Sequence, residues 1–270
     1  MPEGDVVWRT ASRLHQALAG RELTASELRH PRWALIDLAG ATVTEVVARG
    51  KHLLIRTSTA TTLHSHLRMD GNWWTFAAGQ RWRGPAHQIR VVLRTDGPVA
   101  VGYRLHDLAV VATAQESTLV GHLGPDLLGP DWDPDEAVRR LGRAPERPIG
   151  LALLDQRNLA GIGNIYRAET LFLRGVDPWT PVDAVADLNA LVTMARRLLM
   201  ANRHRTQQST TGSLARGEEF WVYGRRNRPC RRCGGPVEAA LLGEGAEGTD
   251  AERTVFWCPQ CQPRTPPGSP

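Results

Sequence analysis

A chain of 270 residues, 41% hydrophobic, 23% charged and with a formal net charge of +5, is long enough for two cored domains and too mixed in composition for a disordered or fibrous polypeptide. No apolar run reaches the length of a membrane span. Glu3, Asp5, Arg9 and Arg13 stand where a secretory leader needs an apolar stretch, which predicts a soluble, cytoplasmic protein with no membrane partner. Of the 33 Lys and Arg residues only Lys51 is a lysine. Arginine's planar fork suits phosphate, so the charge points to a polyanionic partner.

In chain order, Val7, Ala11, Leu14 and Leu18 repeat on one helical face and predict a helix over 5–19, with Asp5 as its N-cap and Gly20 as its stop. From 34 to 112 the pattern changes to short β-rich runs at 34–38, 42–48, 52–57, 61–66, 72–76, 89–94, 99–103 and 108–112, punctuated by glycines and by Asp96-Gly97-Pro98. No helical crossover separates them, so the sheets are expected to be antiparallel, as a sandwich or flattened barrel crossed by the first helix. A Pro/Gly/Asp-rich stretch over 124–134 reads as a linker. Helical patterns follow at 135–142, 149–157, 164–174 and 183–202. Between two of them lies Leu159-Ala160-Gly161-Ile162-Gly163-Asn164, whose alternate glycines let backbone amides turn outward toward a phosphate. A plain interhelical turn is the competing reading. Residues 263–270 read as a disordered tail.

Two features bear on chemistry. The four cysteines fall as Cys230-x2-Cys233 and Cys258-x2-Cys261. In a reducing compartment two such knuckles make a closed structural Zn²⁺ site with four thiolates, with redox or free thiols as the alternative. Arg225, Arg226, Arg228, Arg231 and Arg232 cluster around the first knuckle, a local basic patch. The lone Lys51 is the second feature. A lysine amine loses its proton when its surroundings lower the pKa and arginine does not, so a chemical role competes there with simple codon bias.

Pro2-Glu3-Gly4, Arg49-Gly50-Lys51-His52-Leu53, Ser65-His66-Leu67-Arg68-Met69-Asp70-Gly71, Leu154-Asp155-Gln156 with the Gly-x-Gly-Asn turn, and Phe256-Trp257-Cys258-Pro259 occur in that order. In this combination, over residues 2–261, the chain resembles the Fpg/Nei family of DNA glycosylases, on its endonuclease VIII side and nearest the second actinobacterial type. The resemblance implies an α+β multidomain protein. Its parts would be an N-terminal catalytic β-sandwich with a leading helix (2–123), the linker (124–134), a helix–two-turn–helix DNA-binding domain (135–222), a four-cysteine zinc-finger hairpin (223–262) and the tail.

The implied activity is base-excision repair: an oxidised base, pyrimidine or hydantoin, is removed from DNA and the strand is then cut by β/δ-elimination. Pro2, freed of Met1, would be the nucleophile, because an α-amine titrates near ~7.7–8.0 and is partly neutral at cellular pH. Glu3 would protonate the opening sugar, Lys51 would assist elimination, and Arg253 would contact the phosphate. Arg68 and Met69 would fill the void left by the flipped nucleotide. Asn164 and His122 would hold backbone phosphates, with His87 a weaker candidate. The implied partner is damaged DNA, met by a monomer associated with the nucleoid, with one structural Zn²⁺.

Two departures from the family pattern stand out. Asp5 occupies the region where relatives carry a second glutamate. Leu105-His106-Asp107-Leu108-Ala109 has no aromatic plug to read the base opposite the lesion. The competing function is a non-catalytic zinc-finger protein that binds damaged or abasic DNA.

Overall fold

Helical spacing at the start of the chain becomes a buried stripe in the structure. In the computed structural model, which describes residues 2–243 and 253–264, helix α1 (Gly4–Leu18) buries Val7, Ala11, Leu14 and Leu18 to 3% exposure or less. Each leucine withdrawn from water contributes about 1.5–3 kcal/mol. Asp5 is not the cap. Glu3 holds that position and Asp5 lies inside the first turn, fully buried. The chain divides into two compact units between His122 and Leu123.

In the first unit eight strands follow α1: β1 (Ala25–Leu28), β2 (Val43–Arg49), β3 (His52–Thr57), β4 (Thr61–His66), β5 (Asn72–Phe76), β6 (Ile89–Arg94), β7 (Val99–Tyr103) and β8 (Asp107–Ala112). They form two four-stranded antiparallel sheets, ordered β1-β6-β7-β5 and β2-β3-β4-β8. A short helix, α2 (Ser117–Val120), ends the unit. One core joins the sheets: α1 packs with Leu53, Ile55 and Leu63 of one and with Trp73, Val91, Leu93 and Ala100 of the other.

The expected strand at 34–38 is absent. That stretch is turn and irregular chain, with Leu35 99% exposed, and Trp33 reaches back so that its indole N–H donates to the Leu108 carbonyl at 2.8 Å. The strand that does form, Ala25–Leu28, carries no β-branched residue, and pairing with β6 rather than local propensity makes it one.

The second unit contains α3 (Pro134–Leu141), α4 (Ile149–Ala152), α5 (Asn164–Arg174) and α6 (Leu188–Asn202), then the hairpin β9 (Glu238–Leu242) and β10 (Arg253–Trp257). Asp133 caps α3 by accepting from the Glu136 amide at 3.0 Å, and Pro134 fills its first position. Two expected helices are shorter than their periodicity suggests. The one at 149–157 stops at Ala152. Beyond it Asp155 accepts from the Arg157 amide at 3.0 Å and from the guanidinium groups of Arg157 and Arg147. Burial raises the Asp155 pKa, but these donors outweigh it and hold the carboxyl far below the usual range. The one at 183–202 begins at Leu188, because Asp187 captures the Ala190 amide at 2.8 Å and the preceding Val182–Ala184 is a separate 3-10 turn.

A buried carboxylate bolts the chain after α6 onto α5. Glu169, with no exposed surface, accepts from the amides of Trp221, Val222 and Tyr223 at 2.8, 2.9 and 2.9 Å and from the Thr210 hydroxyl. An amide in its place would turn an NH2 group toward these donors. Glu169→Gln is therefore expected to cost about 2 kcal/mol, read as a lower urea midpoint. An unchanged midpoint would show that other contacts hold this segment.

Candidate active site and nucleic-acid interface

The functional residues named from the sequence divide between the units: Pro2, Glu3, Lys51, Arg68, Met69, His87 and His122 in the first, Asn164, Arg253 and the cysteines in the second. At the amino end Pro2 is half-buried and Glu3 is fully buried as the N-cap residue of α1. The Glu3 carbonyl accepts from the amides of Val6 and Val7 at 3.0 and 3.1 Å. A carboxyl fixed at the positive end of a helix is well placed electrostatically. The helix thus presents an imino acid and a carboxyl side by side.

Lys51 follows Gly50, whose φ of 58° suits the tight turn between β2 and β3. The register of the sheet then builds a feature that the motifs alone did not reveal. His52 pairs with His66 across β3 and β4, His66 pairs with Asp107 across β4 and β8, and His64 lies two residues from His66. With a side-chain period of two, all four occupy one face, opposite the core-facing Leu53, Ile55 and Leu63. His52 Nδ1 and His64 Nε2 are 2.8 Å apart. The His52 ring lies 5.1, 5.0 and 6.2 Å from those of His64, His66 and the exposed His122. His87 stays apart, exposed on the 3-10 turn before β6.

Burial, then the neighbouring His66, His64, His122 and Arg68, pushes the His52 pKa down to about 3. Burial and then Arg68 lower His66 to about 4 against the pull of Asp107, with Lys51 adding to the effect. Lys51 therefore belongs to this electrostatic neighbourhood. Both imidazoles are neutral near pH 7. Unfolded imidazoles titrate near ~6.5, so as pH falls below that value the unfolded chain binds protons first. Stability is full above about 6.5 and falls toward pH 4. We expect the urea midpoint to drop between pH 7 and pH 5, and to drop less for His52→Gln. An equal drop would sink this account.

Arg68 and Met69 occupy the turn between β4 and β5. Met69 is 62% exposed although Leu67 beside it is buried. An apolar side chain held out from a core-anchored turn is suited to insertion between bases.

In the second unit the glycine turn is internally stapled. Gln156 donates to the carbonyls of Leu154 and Ile162 at 2.8 and 3.0 Å and accepts from the Gly161 amide at 3.0 Å. The expectation of a Gly161 amide turned outward is thus corrected: the Gln156 side chain takes it. The Asn164 side-chain N–H donates to the Thr254 carbonyl at 2.9 Å. The buried Arg167 donates to the same carbonyl at 3.0 Å, to the Gly150 carbonyl at 3.3 Å and to Asn164 Oδ1. Arg167, which no motif singled out, therefore ties the start of α5 to β10. Arg253 is the first residue of β10. Its side chain, residues 244–252 and the tail residues 265–270 lie outside the described residues.

Cys230, Cys233, Cys258 and Cys261 converge, with all four sulfurs within 4.8 Å of one another. The Cys230–Cys261 and Cys233–Cys258 Sγ distances are 3.9 and 3.5 Å. These are far from a disulfide bond of about 2.05 Å. Four sulfurs at about 2.3 Å from one zinc lie about 3.8 Å apart along a tetrahedral edge. The donor set and spacing fit a closed tetrathiolate metal centre. A hydrogen bond from the Gly235 amide draws the Cys233 thiol down to about 7, whereas burial and the neighbouring thiols push Cys261 up to about 12.

Two four-stranded sheets around one core, a helical unit with a Gly-x-Gly-Asn turn between α4 and α5, and a four-cysteine hairpin together make an Fpg-like α+β architecture. Residues 1–124 match the formamidopyrimidine-DNA glycosylase N-terminal domain and residues 123–211 the formamidopyrimidine-DNA glycosylase H2TH domain. The chain belongs to the formamidopyrimidine-DNA glycosylase (Fpg/Nei) family. It is 58% identical over 265 residues to the probable endonuclease 8 2 of Streptomyces coelicolor, covering 97% of this chain and 94% of that one. It is 48% identical over 266 residues to endonuclease 8 2 of Mycobacterium tuberculosis, covering 97% and 100%. With the DNA-(apurinic or apyrimidinic site) lyase Nei2 of Mycolicibacterium smegmatis it shares 45% identity over 262 residues, covering 97% and 99%. Lactococcus lactis Fpg, solved with DNA containing an AP site, superposes with a TM-score of 0.79 at 22% identity over 97% of this chain and all of that one. That likeness concerns the fold.

Proposed function

We propose that this protein is a bifunctional DNA glycosylase and AP lyase of base-excision repair. The observation that carries the reading is the amino end. Pro2 and Glu3 lead directly into a helix sealed in the core of the first unit, so nucleophile and acid share one rigid mount. Membership in the family and the relatives named as endonucleases 8 and as an AP lyase support it.

In the proposed sequence, Met1 is removed and the neutral Pro2 nitrogen attacks C1′ of the damaged nucleotide. The base departs with its glycosidic electron pair, Glu3 delivers a proton to the sugar oxygen as the ring opens, and a cationic iminium joins Pro2 to C1′. That cation acidifies the C2′ proton, whose loss expels the 3′ phosphate. A second elimination expels the 5′ phosphate. Lys51 and Arg253 stabilise the phosphates as they leave, and Asn164 and His122 contact the intact backbone. Arg68 and Met69 enter the duplex at the lesion. The substrates are oxidised pyrimidines and hydantoins. Without an aromatic plug at 105–109, the enzyme discriminates weakly among opposite bases and accepts single-stranded DNA.

Cys230, Cys233, Cys258 and Cys261 would hold one Zn²⁺ that cross-links the hairpin bearing Arg253. We infer a monomeric, cytoplasmic enzyme. The four free thiols suit a reducing compartment.

Borohydride reduces the iminium to a stable cross-link, so processed protein mixed with an abasic oligonucleotide is expected to yield one covalent adduct. Pro2→Gly is expected to weaken it and Glu3→Gln to remove base release. Salt-sensitive binding with no adduct at any pH would instead establish a non-catalytic binder. Elemental analysis should find one zinc per chain. Its removal by a strong chelator is expected to abolish cleavage and to lower the urea midpoint of the full-length protein. Full activity in zinc-free protein would reject the structural role.

A further inference from the structure

The turn bearing Met69 and the turn joining β7 to β8 are clasped by two reciprocal ion pairs. In the first, the Arg68 guanidinium meets the Asp107 carboxylate. In the second, Arg104 Nε lies 3.6 Å from Asp70 Oδ2, and His106 Nε2 stands 3.4 Å from Asp70 Oδ1. Each turn thus supplies one arginine and receives an aspartate from the other segment. The symmetry extends to the backbone. Arg68 and Arg104 are two of the few non-glycine residues with positive φ, at 50° and 51°, a conformation that costs energy unless the surroundings enforce it.

Three further contacts enforce it. His66 Nδ1 accepts from the Arg68 amide at 3.0 Å, and the Arg104 amide donates to the Gln88 carbonyl at 2.8 Å. Gly71 sits where the turns touch: a Cβ there would lie 2.6 Å from the Leu67 carbonyl oxygen and 3.0 Å from that of Arg104. Arg104 Nε is buried without a hydrogen bond, so the Asp70 carboxylate is the charge nearest to it in the clasp. Leu67 and Leu105 anchor the two turns in the core while Met69 stays exposed.

We propose that Asp70 and Asp107 are positioning residues that lock the 67–70 turn and the 104–107 turn into one preformed wedge. The proposal rests on the reading that Arg68 and Met69 enter the duplex. A loop ordered in advance loses no chain entropy when it inserts. The 104–107 turn, which carries no aromatic side chain, therefore acts as a brace for the inserting turn. The argument has an electrostatic signature. Aspartates beside a polyanion weaken its binding, so their removal on charge grounds alone would tighten DNA binding and speed nothing else. Bracing predicts the opposite for the insertion step.

The test uses the full-length protein, Asp70→Asn/Asp107→Asn, and the exchange Asp70→Arg/Arg104→Asp, which rebuilds one pair in reverse. Aspartate tolerates positive φ better than most residues, so the exchange suits position 104. Adduct formation is followed on the same abasic oligonucleotide as single strand and as duplex, with 2-aminopurine beside the site reporting unstacking. For the double asparagine variant we expect duplex affinity equal or tighter, and unstacking and duplex trapping roughly tenfold slower. Single-strand trapping should stay within about twofold of the parent protein, since no duplex has to be opened there. The exchange should recover most of the duplex rate. Unchanged duplex kinetics, or duplex and single-strand rates falling together, would overturn the brace. A parent protein that forms no adduct on either substrate would remove the functional reading itself.

Discussion

Along β4 the side chains alternate between two environments, and the first unit depends on that alternation. Leu63 and Ser65 face the sandwich core, where Ser65 Oγ accepts from the Trp73 indole at 3.1 Å. Thr62, His64 and His66 face the other way. Thr62 joins Arg56, Glu116 and Glu45 in a network with hydrogen bonds of 2.6 to 2.7 Å, and the two histidines join His52 and Asp107. A register slip of one residue would bury the charges and expose the leucines. Register is thus held by the core on one face and serves the candidate site on the other.

The two units handle buried charge differently. In the first, the imidazoles crowd one another and are kept neutral by desolvation, so positive charge there comes from Lys51, Arg68 and their neighbours. In the second, buried carboxyl and guanidinium groups act as bolts: Glu169 gathers three consecutive amides, Asp155 takes two arginines, and Arg167 binds carbonyls from α4 and β10. Such groups are worth little as surface pairs. Buried and hydrogen-bonded, they set where a loop lies. A positioned Asn164 and a held β10 strand follow from that placement.

Most strands and α5 were legible because their periodicity agrees with their packing. The misses share a cause. At 149–157 and 183–187 the helical pattern runs on past aspartates that capture backbone amides, and the apolar run at 34–38 has the composition of a strand although β6 pairs with Ala25–Leu28 instead. Asp107, Arg167 and Glu169 carry no local signal at all. An aspartate at a strand start or a glutamate within a helix looks like ordinary surface until its partners, 39 to 54 residues away, are known.

By itself the amino-acid sequence determined most of the elements, the thiolate quartet and the Pro2-Glu3 pair, because periodicity and residue spacing are properties of one dimension. Only the tertiary structure decided that three imidazoles and Asp107 share a face, that Gln156 claims the Gly161 amide, and that Arg68 and Arg104 cross over to each other's aspartates. Those outcomes depend on strand register and on the approach of distant turns, where hydrogen-bond geometry and desolvation select the partner and local sequence does not.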